Sequence, residues 1–211
     1  MSVAPLFVGI AGGSGSGKTA LAVGVTAALP AGQVVVIPAD AYYRDLGHLP
    51  WRQRAGHNFD EPAALESERL CEDLLSLAAG RAVARPSYDF ATHTRFAQTV
   101  AIVPSPIVIV EGILVLALAE LRRLLDLKVF VAASEPTRLG RRIVRDEGER
   151  GRTRASVVAQ FMRHTRPMHD LHVAPSQAHA DVIVSGEGDL RLGVEHVAAC
   201  IARLAALENS G

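Results

Sequence analysis

An α/β fold, with a parallel sheet layered between helices, is predicted by three observations on this 211-residue chain. The first is a glycine-rich loop, Gly12-Gly13-Ser14-Gly15-Ser16-Gly17-Lys18-Thr19, between an apolar run and a stretch of helical character. The second is a set of short runs apolar on both faces: Leu6 to Ile10, Val34 to Ile37, Ile107 to Val110, Leu127 to Val131 and Asp181 to Val184. Strands buried on both faces of a parallel sheet read this way. The third is that helical patterns separate these runs, the order of βαβ units. A three-layer core with a five-stranded parallel sheet follows, in one domain spanning 1–211.

The loop carries the first chemistry. Gly12 to Thr19 matches G-x-x-x-x-G-K-[ST], the phosphate-binding P-loop. Its glycines let the backbone curl so that successive amides point at phosphate oxygens. The helix that follows, over 17–29, adds its free amides and positive dipole end before Pro30-Ala31-Gly32 stops it. Lys18 is placed to reach the β/γ-phosphates, and the Thr19 hydroxyl to hold Mg²⁺. A Gly/Ser linker ending by chance in Lys-Thr lacks this strand–loop–helix order. The chain has only two lysines, Lys18 and Lys128, among 22 basic residues, so a compact ammonium is kept where an arginine fork would not fit.

In open α/β sheets the ligand lies beyond the carboxyl ends of the strands. Asp40, after the second strand, and Glu111, after the third, fall there. A carboxylate so placed can accept a proton from an attacking hydroxyl or help hold Mg²⁺; each also fits a turn or helix cap. The segment Trp51 to Pro62 reads as a polar connection with two aromatics. A helix over 62–79 follows, with Leu70, Leu74 and Leu77 on one face. Asp60 could cap that helix, with Pro62 in its first turn.

Residues 82–100 read as a small hairpin around Asp89 to Thr94. Tyr88 and Phe90, two apart, face one side of an extended segment, and His93, Thr94 and Arg95 follow. Such a set can enclose a planar polar base, or simply pack its own rings. Arg138, Arg141, Arg142 and Arg145 then recur at helical spacing over 135–148, with Arg150 and Arg152 behind them. This fits a solvated charged face, and it equally fits guanidinium groups gripping phosphoryl oxygens. Gly148 and Gly151 suit a lid-like segment over 138–155 that excludes water. A helix over 153–164 presents Gln160 and His164, and an amphipathic helix over 189–207 covers the sheet, with His196 at its surface.

Bulk properties narrow the classes. Acidic and basic residues balance at 22 each, which favours neither nucleic acid nor an anionic membrane as partner. Cys71 and Cys200 lie in helical patterns and read as buried free thiols of a reducing compartment. No apolar run reaches membrane-spanning length, and no targeting segment precedes the P-loop, so the expected location is the cytoplasm.

Taken together, these stretches resemble the uridine kinase (uridine-cytidine kinase) family, within the phosphoribulokinase and uridine kinase group. The resemblance runs from the P-loop to about residue 185. It is carried by Gly12–Thr19, Asp40-Ala41-Tyr42-Tyr43, Asn58-Phe59-Asp60-Glu61-Pro62 and Tyr88 to Arg95. It continues through Glu111-Gly112-Ile113-Leu114, Arg141 to Asp146, Glu149 to Arg152, Arg166-Pro167-Met168-His169 and Ala180 to Ile183. The resemblance implies a P-loop kinase fold with the hairpin as a substrate-binding insert. It implies transfer of phosphate from ATP or GTP, with Mg²⁺, to the 5′-hydroxyl of uridine or cytidine, giving UMP and CMP in pyrimidine salvage.

By the same resemblance, Asp40 is the general base and a metal-site carboxylate with Glu111 and Thr19. Lys18, Arg142 and Arg145 act in catalysis, and Arg150 with Gly12 to Thr19 holds the donor. Asp60 holds the ribose hydroxyls; Tyr88, Phe90 and His93 frame the base; and Tyr43, Arg152 and Gln160 touch the nucleoside. A tetramer and inhibition by CTP or UTP are further implications. Ala39, Ala41 and Glu61 stand where members often have Gln, Ser and His, which touches acceptor preference rather than the chemistry. Another sugar or nucleoside as acceptor, or a nucleotide-binding regulator without transfer, are the other readings.

Overall fold

The computed structural model describes residues 4–208; the outermost residues of the expected 1–211 domain, 1–3 and 209–211, lie outside the described residues. The central sheet has five strands: β1 (Leu6–Gly12), β2 (Val34–Pro38), β7 (Ile107–Glu111), β8 (Leu127–Ala132) and β9 (Val182–Ser185). They lie in the order β2-β7-β1-β8-β9, each pair parallel. Leu6 is level with Ile107, and Val8 with Leu127, which puts the strand that enters the P-loop at the centre.

Alternation along β1 builds both halves of the core. Leu6, Val8 and Ile10 join Leu21, Val25, Val197 and Ile201, from helix α1 (Lys18–Ala28) and the helix Leu190–Glu208. Phe7 and Ala11 face the other way, toward Leu70, Leu74 and Leu77 of α3 (Ser67–Ala78). Those leucines are fully buried, as their spacing predicts.

The hairpin is present, as two short ladders. β3 (Val83–Arg85) pairs with β6 (Val100–Ile102), and nearer its tip β4 (Tyr88–Asp89) pairs with β5 (Thr94–Arg95). α5 (Glu135–Arg150) carries the arginines without a break at Gly148. Gly151, left-handed at φ 61°, ends it.

Four expectations are corrected. The connection Trp51 to Pro62 is not wholly irregular, for a short helix, α2 (Trp51–Ala55), starts it after Pro50. The helix expected over 62–79 begins only at Ser67: Pro62–Ala64 forms a single 3₁₀ turn, and Leu65 returns to extended backbone to bridge Tyr43. The helix expected over 153–164 holds its α-form as α6 (Arg154–Gln160) and then runs on to His179 through π-helical turns at Phe161–Thr165 and His169–Val173. Pro167 and Pro175 lie in that run, and the donor each lacks breaks the regular ladder that an α-helix needs. Cys71 and Cys200 are free, but each is only partly buried.

Candidate active site

β1 delivers the chain into the P-loop, and α1 carries it away. Gly15 and Gly17 hold φ values of 82° and 104°, a left-handed backbone that a side chain would strain. Gly13 is crowded by side chains instead: a Cβ there would stand 2.7 Å from Arg138 Nη1 and 3.0 Å from His169 Nδ1, so Arg138 would have to move. Lys18 is buried and donates to the Gly13 carbonyl at 3.2 Å, folding its ammonium over the loop. Burial lowers its pKa, opposed chiefly by Glu111 and then Asp40. Burial likewise raises the carboxyls of Asp40 and Glu111, with Lys18 the largest influence holding each down.

Thr19 Oγ1 donates to Glu111 Oε1 at 3.3 Å, joining the end of the P-loop to the end of β7. These hard oxygen donors fit a Mg²⁺ ion, which takes few protein ligands and completes its shell from phosphate and water. Among the described residues no cluster of three or more His, Cys, Asp or Glu forms a self-sufficient metal cage.

One cavity opens beside the loop. Ser14, Asp40, Tyr43, Asp60, Tyr88, Phe90, His93, Arg142, Arg145, Arg150, Arg152 and Gln160 line it, with Phe59 and Ile113. A second depression holds Gly15, Gly17, Lys18, Thr19, Arg141 and Arg145. Arg145 lines both, so the two spaces meet at its guanidinium.

Aromatic rings form the far wall. Tyr88 meets Tyr43 and Phe90 edge-on, at 5.6 and 5.4 Å between centroids. His93 stacks with Phe59, at 4.7 Å, and with Trp51 of α2, at 5.8 Å. A tight turn holds it there. His93 N–H donates to the Asp89 carbonyl at 2.8 Å, the Asp89 carboxylate accepts from Ala91 N–H and Thr92 Oγ1, and His93 itself takes a left-handed φ of 57°. Burial, then Arg152 and Arg150, push its imidazole down to about 4, so the ring is neutral near pH 7.

From His93 a hydrogen-bonded chain crosses the cavity. His93 Nε2 lies 3.0 Å from Arg152 Nη2, and since guanidinium only donates, Nε2 accepts. Arg152 Nη1 and Arg142 Nη2 both donate to Gln160 Oε1, at 2.6 and 3.0 Å. Arg142 Nη1 then donates to Ser14 Oγ at 3.1 Å. His93 and the P-loop are thus physically joined.

Asp60 does not cap a helix. Its buried carboxylate accepts from Thr165 Oγ1 at 2.9 Å, and its N–H donates to Asn58 Oδ1. Of the residues picked from the sequence for the acceptor side, Tyr43, Asp60, Tyr88, Phe90, His93, Arg152 and Gln160 line this cavity, whereas Thr94, Arg95 and His164 do not, and Arg95 pairs instead with Glu66 at 2.8 Å. Residue-by-residue reading passed over Phe59, Trp51, Ile113, Thr165 and Asp146. Asp146 left a usable signal, since it stands four residues from both Arg142 and Arg150, the spacing of helix ion pairs. Phe59 and Ile113 stand only as members of family stretches and Trp51 only as an aromatic of a polar connection, while Thr165 left no signal, because the place of each depends on tertiary contact.

The chain matches the model of the "Phosphoribulokinase / Uridine kinase family" over residues 7–191. It is 43% identical over 201 residues to a protein of Chloroflexus aurantiacus named "Uridine kinase", covering 95% of this chain and 96% of that one. A "Uridine kinase" of Bacillus velezensis is 38% identical over 195 residues, 92% of each chain. Among solved structures, D-glycerate 3-kinase from Cryptococcus neoformans superposes with a TM-score of 0.62 at 17% identity, covering 87% of each chain, a likeness of fold alone.

Proposed function

The chain belongs to the phosphoribulokinase/uridine kinase family, and within it we propose that this protein is a nucleoside kinase that phosphorylates the 5′-hydroxyl of uridine and cytidine. The observation that carries this reading is the single cavity in which Asp40, Asp60 and the ring frame of Tyr88, Phe90 and His93 stand beside the P-loop. A nucleoside has three parts to hold: a base, ribose hydroxyls and a reacting 5′-oxygen. The cavity offers a matching group for each.

In this reading ATP or GTP enters on the Gly15–Thr19 side, with its phosphates on the loop amides and Lys18. Thr19 and Glu111 hold Mg²⁺, with Asp40 as a further carboxylate. The ion, when bound, offsets phosphate charge and orients the transferred group. Asp40 takes the proton of the 5′-hydroxyl; its enclosed carboxyl is more basic than a free one, which suits a general base. Asp60 accepts from the ribose hydroxyls, and Tyr43 closes the wall beside it. Arg142, Arg145 and Arg150 face the transferred phosphoryl group, where guanidinium donors are worth most. Arg152, Gln160 and His93 meet the edge of the base. An assembly of several copies, with CTP or UTP as inhibitor, belongs to the same reading by kinship with the family.

The test is ADP release by the purified protein over a panel of uridine, cytidine, purine nucleosides, ribulose 5-phosphate, glycerate and no acceptor. Uridine- and cytidine-dependent turnover is expected. Turnover with a phosphorylated sugar or glycerate alone would move the protein elsewhere in the family, and none with any acceptor would leave a nucleotide-binding regulator.

A further inference from the structure

Asp146, on α5, is fully enclosed, and four guanidinium groups surround it. Its two oxygens are shared out unequally. Oδ1 accepts from Arg145 Nε at 2.9 Å and pairs with Arg145 Nη2 at 2.8 Å and Arg150 Nη1 at 3.4 Å. Oδ2 faces Arg142 Nε at 3.6 Å and Arg152 Nη1 at 3.8 Å, too far for hydrogen bonds. One oxygen therefore holds Arg145, which lines the P-loop depression, and Arg150, whose guanidinium lies 4.7 Å over the Phe90 ring. The other faces the arginines in the chain from His93 through Gln160 to Ser14.

The backbone builds this junction deliberately. Gly151, left-handed, reverses the chain at the end of α5, and the N–H groups of Gly151 and Arg152 both reach back to the Asp146 carbonyl. The reversal returns Arg152 to the carboxylate six residues behind it. Charge counting says why a single acid is used. One carboxylate offsets one of four positive charges, enough to hold the guanidinium groups together and too little to quench their demand for phosphoryl oxygens.

We propose that Asp146 is a positioning residue for phosphoryl transfer, whose carboxylate gathers Arg142, Arg145, Arg150 and Arg152 into one set that serves donor phosphates and acceptor base together. The proposal rests on the kinase reading above for its turnover arm; its donor arm does not.

The experiment uses Asp146→Asn in the full chain, assayed with the nucleoside that the unsubstituted protein phosphorylates fastest. KM for nucleoside and for nucleotide should both rise about tenfold and kcat fall about a hundredfold, the scale for displaced transition-state donors. By calorimetry the variant should also bind an unreactive ATP analogue about tenfold more weakly. A merely structural carboxylate would lower the folded fraction, reducing kcat per mass of protein with both KM values and analogue affinity unchanged. That pattern overturns the proposal. Should Asp146→Asn not fold, Asp146→Glu keeps the charge and shifts it by one methylene. The same directions in KM and analogue affinity support the proposal there, and unsubstituted values overturn it. If the native protein phosphorylates no nucleoside, the kinase reading fails, and analogue affinity alone decides for or against Asp146.

Discussion

Thr165 Oγ1 donates to Asp60 Oδ2 at 2.9 Å, across 105 residues of sequence and between two buried side chains. The bond pins an acceptor-side carboxylate to the irregular helical run after α6. Among the described residues no side chain donates to the other carboxylate oxygen, as a ribose contact requires. Thr165→Val removes the pin and keeps the shape. One such bond is worth about 0.5–1.5 kcal/mol net, so nucleoside Kd should rise roughly two- to twelvefold while nucleotide Kd stays put. Calorimetry of both ligands checks this. An unmoved nucleoside Kd would show that Thr165 is packing only.

Lys18 is expected to matter for rate more than for binding. Its ammonium already lies folded onto the Gly13 carbonyl, so the loop is formed before phosphate arrives. Lys18→Ala should lower kcat by about 10²–10³ with the melting temperature little changed, because its charge acts on oxygens whose charge moves during transfer. Near-normal turnover in the folded variant would remove the P-loop assignment.

The pH profile follows from two enclosed groups. Asp40 must be ionised to accept a proton, and burial raises its pKa against Lys18, Arg150 and Arg145. Activity is therefore present above that raised pKa and is lost as pH falls through it. Its acid limb should stand at higher pH than a free carboxylate gives. Arg150→Met removes a charge that lowers Asp40, so the limb should move further up. His93, pushed to about 4, stays neutral, and nucleoside Kd should be flat between about pH 6 and 8. A step in Kd near pH 6.5 would mean an ordinary, exposed imidazole there.

The sheet was legible because its strands are apolar on both faces and separated by helical periods; β1, β2, β7, β8 and β9 of the core sheet fall within a residue or two of the runs read from sequence. The P-loop was legible because its geometry needs glycine at fixed spacing. Spacing alone left Asp60 open to a capping role because Pro62 imitates a helix start, whereas Leu65 bridges Tyr43 and delays α3 to Ser67. Asp146 was read only as part of a motif, because a charged helix face looks alike whether it meets water or encloses an acid. Trp51 and Phe59 both stack on His93 from separate elements, which no local pattern announces.

That stack supplies a probe. Trp51 is the sole tryptophan of the chain, and its half-exposed ring lies 5.8 Å from the His93 ring. Uridine entering the cavity should shift its emission, saturating with the same Kd that calorimetry gives, and His93→Ala should weaken uridine far more than nucleotide. Trp51 emission indifferent to uridine at saturating concentration would place the base away from His93.

Asp40 and Asp60 line the same cavity, yet their surroundings set them different tasks. Asp40 sits in the 3₁₀ turn after β2, within electrostatic reach of Lys18, where an attacking 5′-oxygen would approach the transferred phosphate. Asp60 sits deeper, held by Thr165 and Asn58. Removing a general base typically costs 10²–10⁴ in the chemical step, with little loss of ground-state binding. Asp40→Asn should thus bind uridine near normally by calorimetry and turn over very slowly. Asp60→Asn should instead lose much of its uridine affinity, with some loss of kcat from a misplaced 5′-oxygen. The two can be separated with 2′-deoxyuridine. It lacks one hydroxyl that Asp60 would accept from, so it should be a poor ligand of the native protein and suffer little further from Asp60→Asn, while Asp40→Asn should slow both nucleosides alike. Fully additive penalties for Asp60→Asn and the missing hydroxyl would detach Asp60 from the ribose, and an active Asp40→Asn would leave the proton to another acceptor.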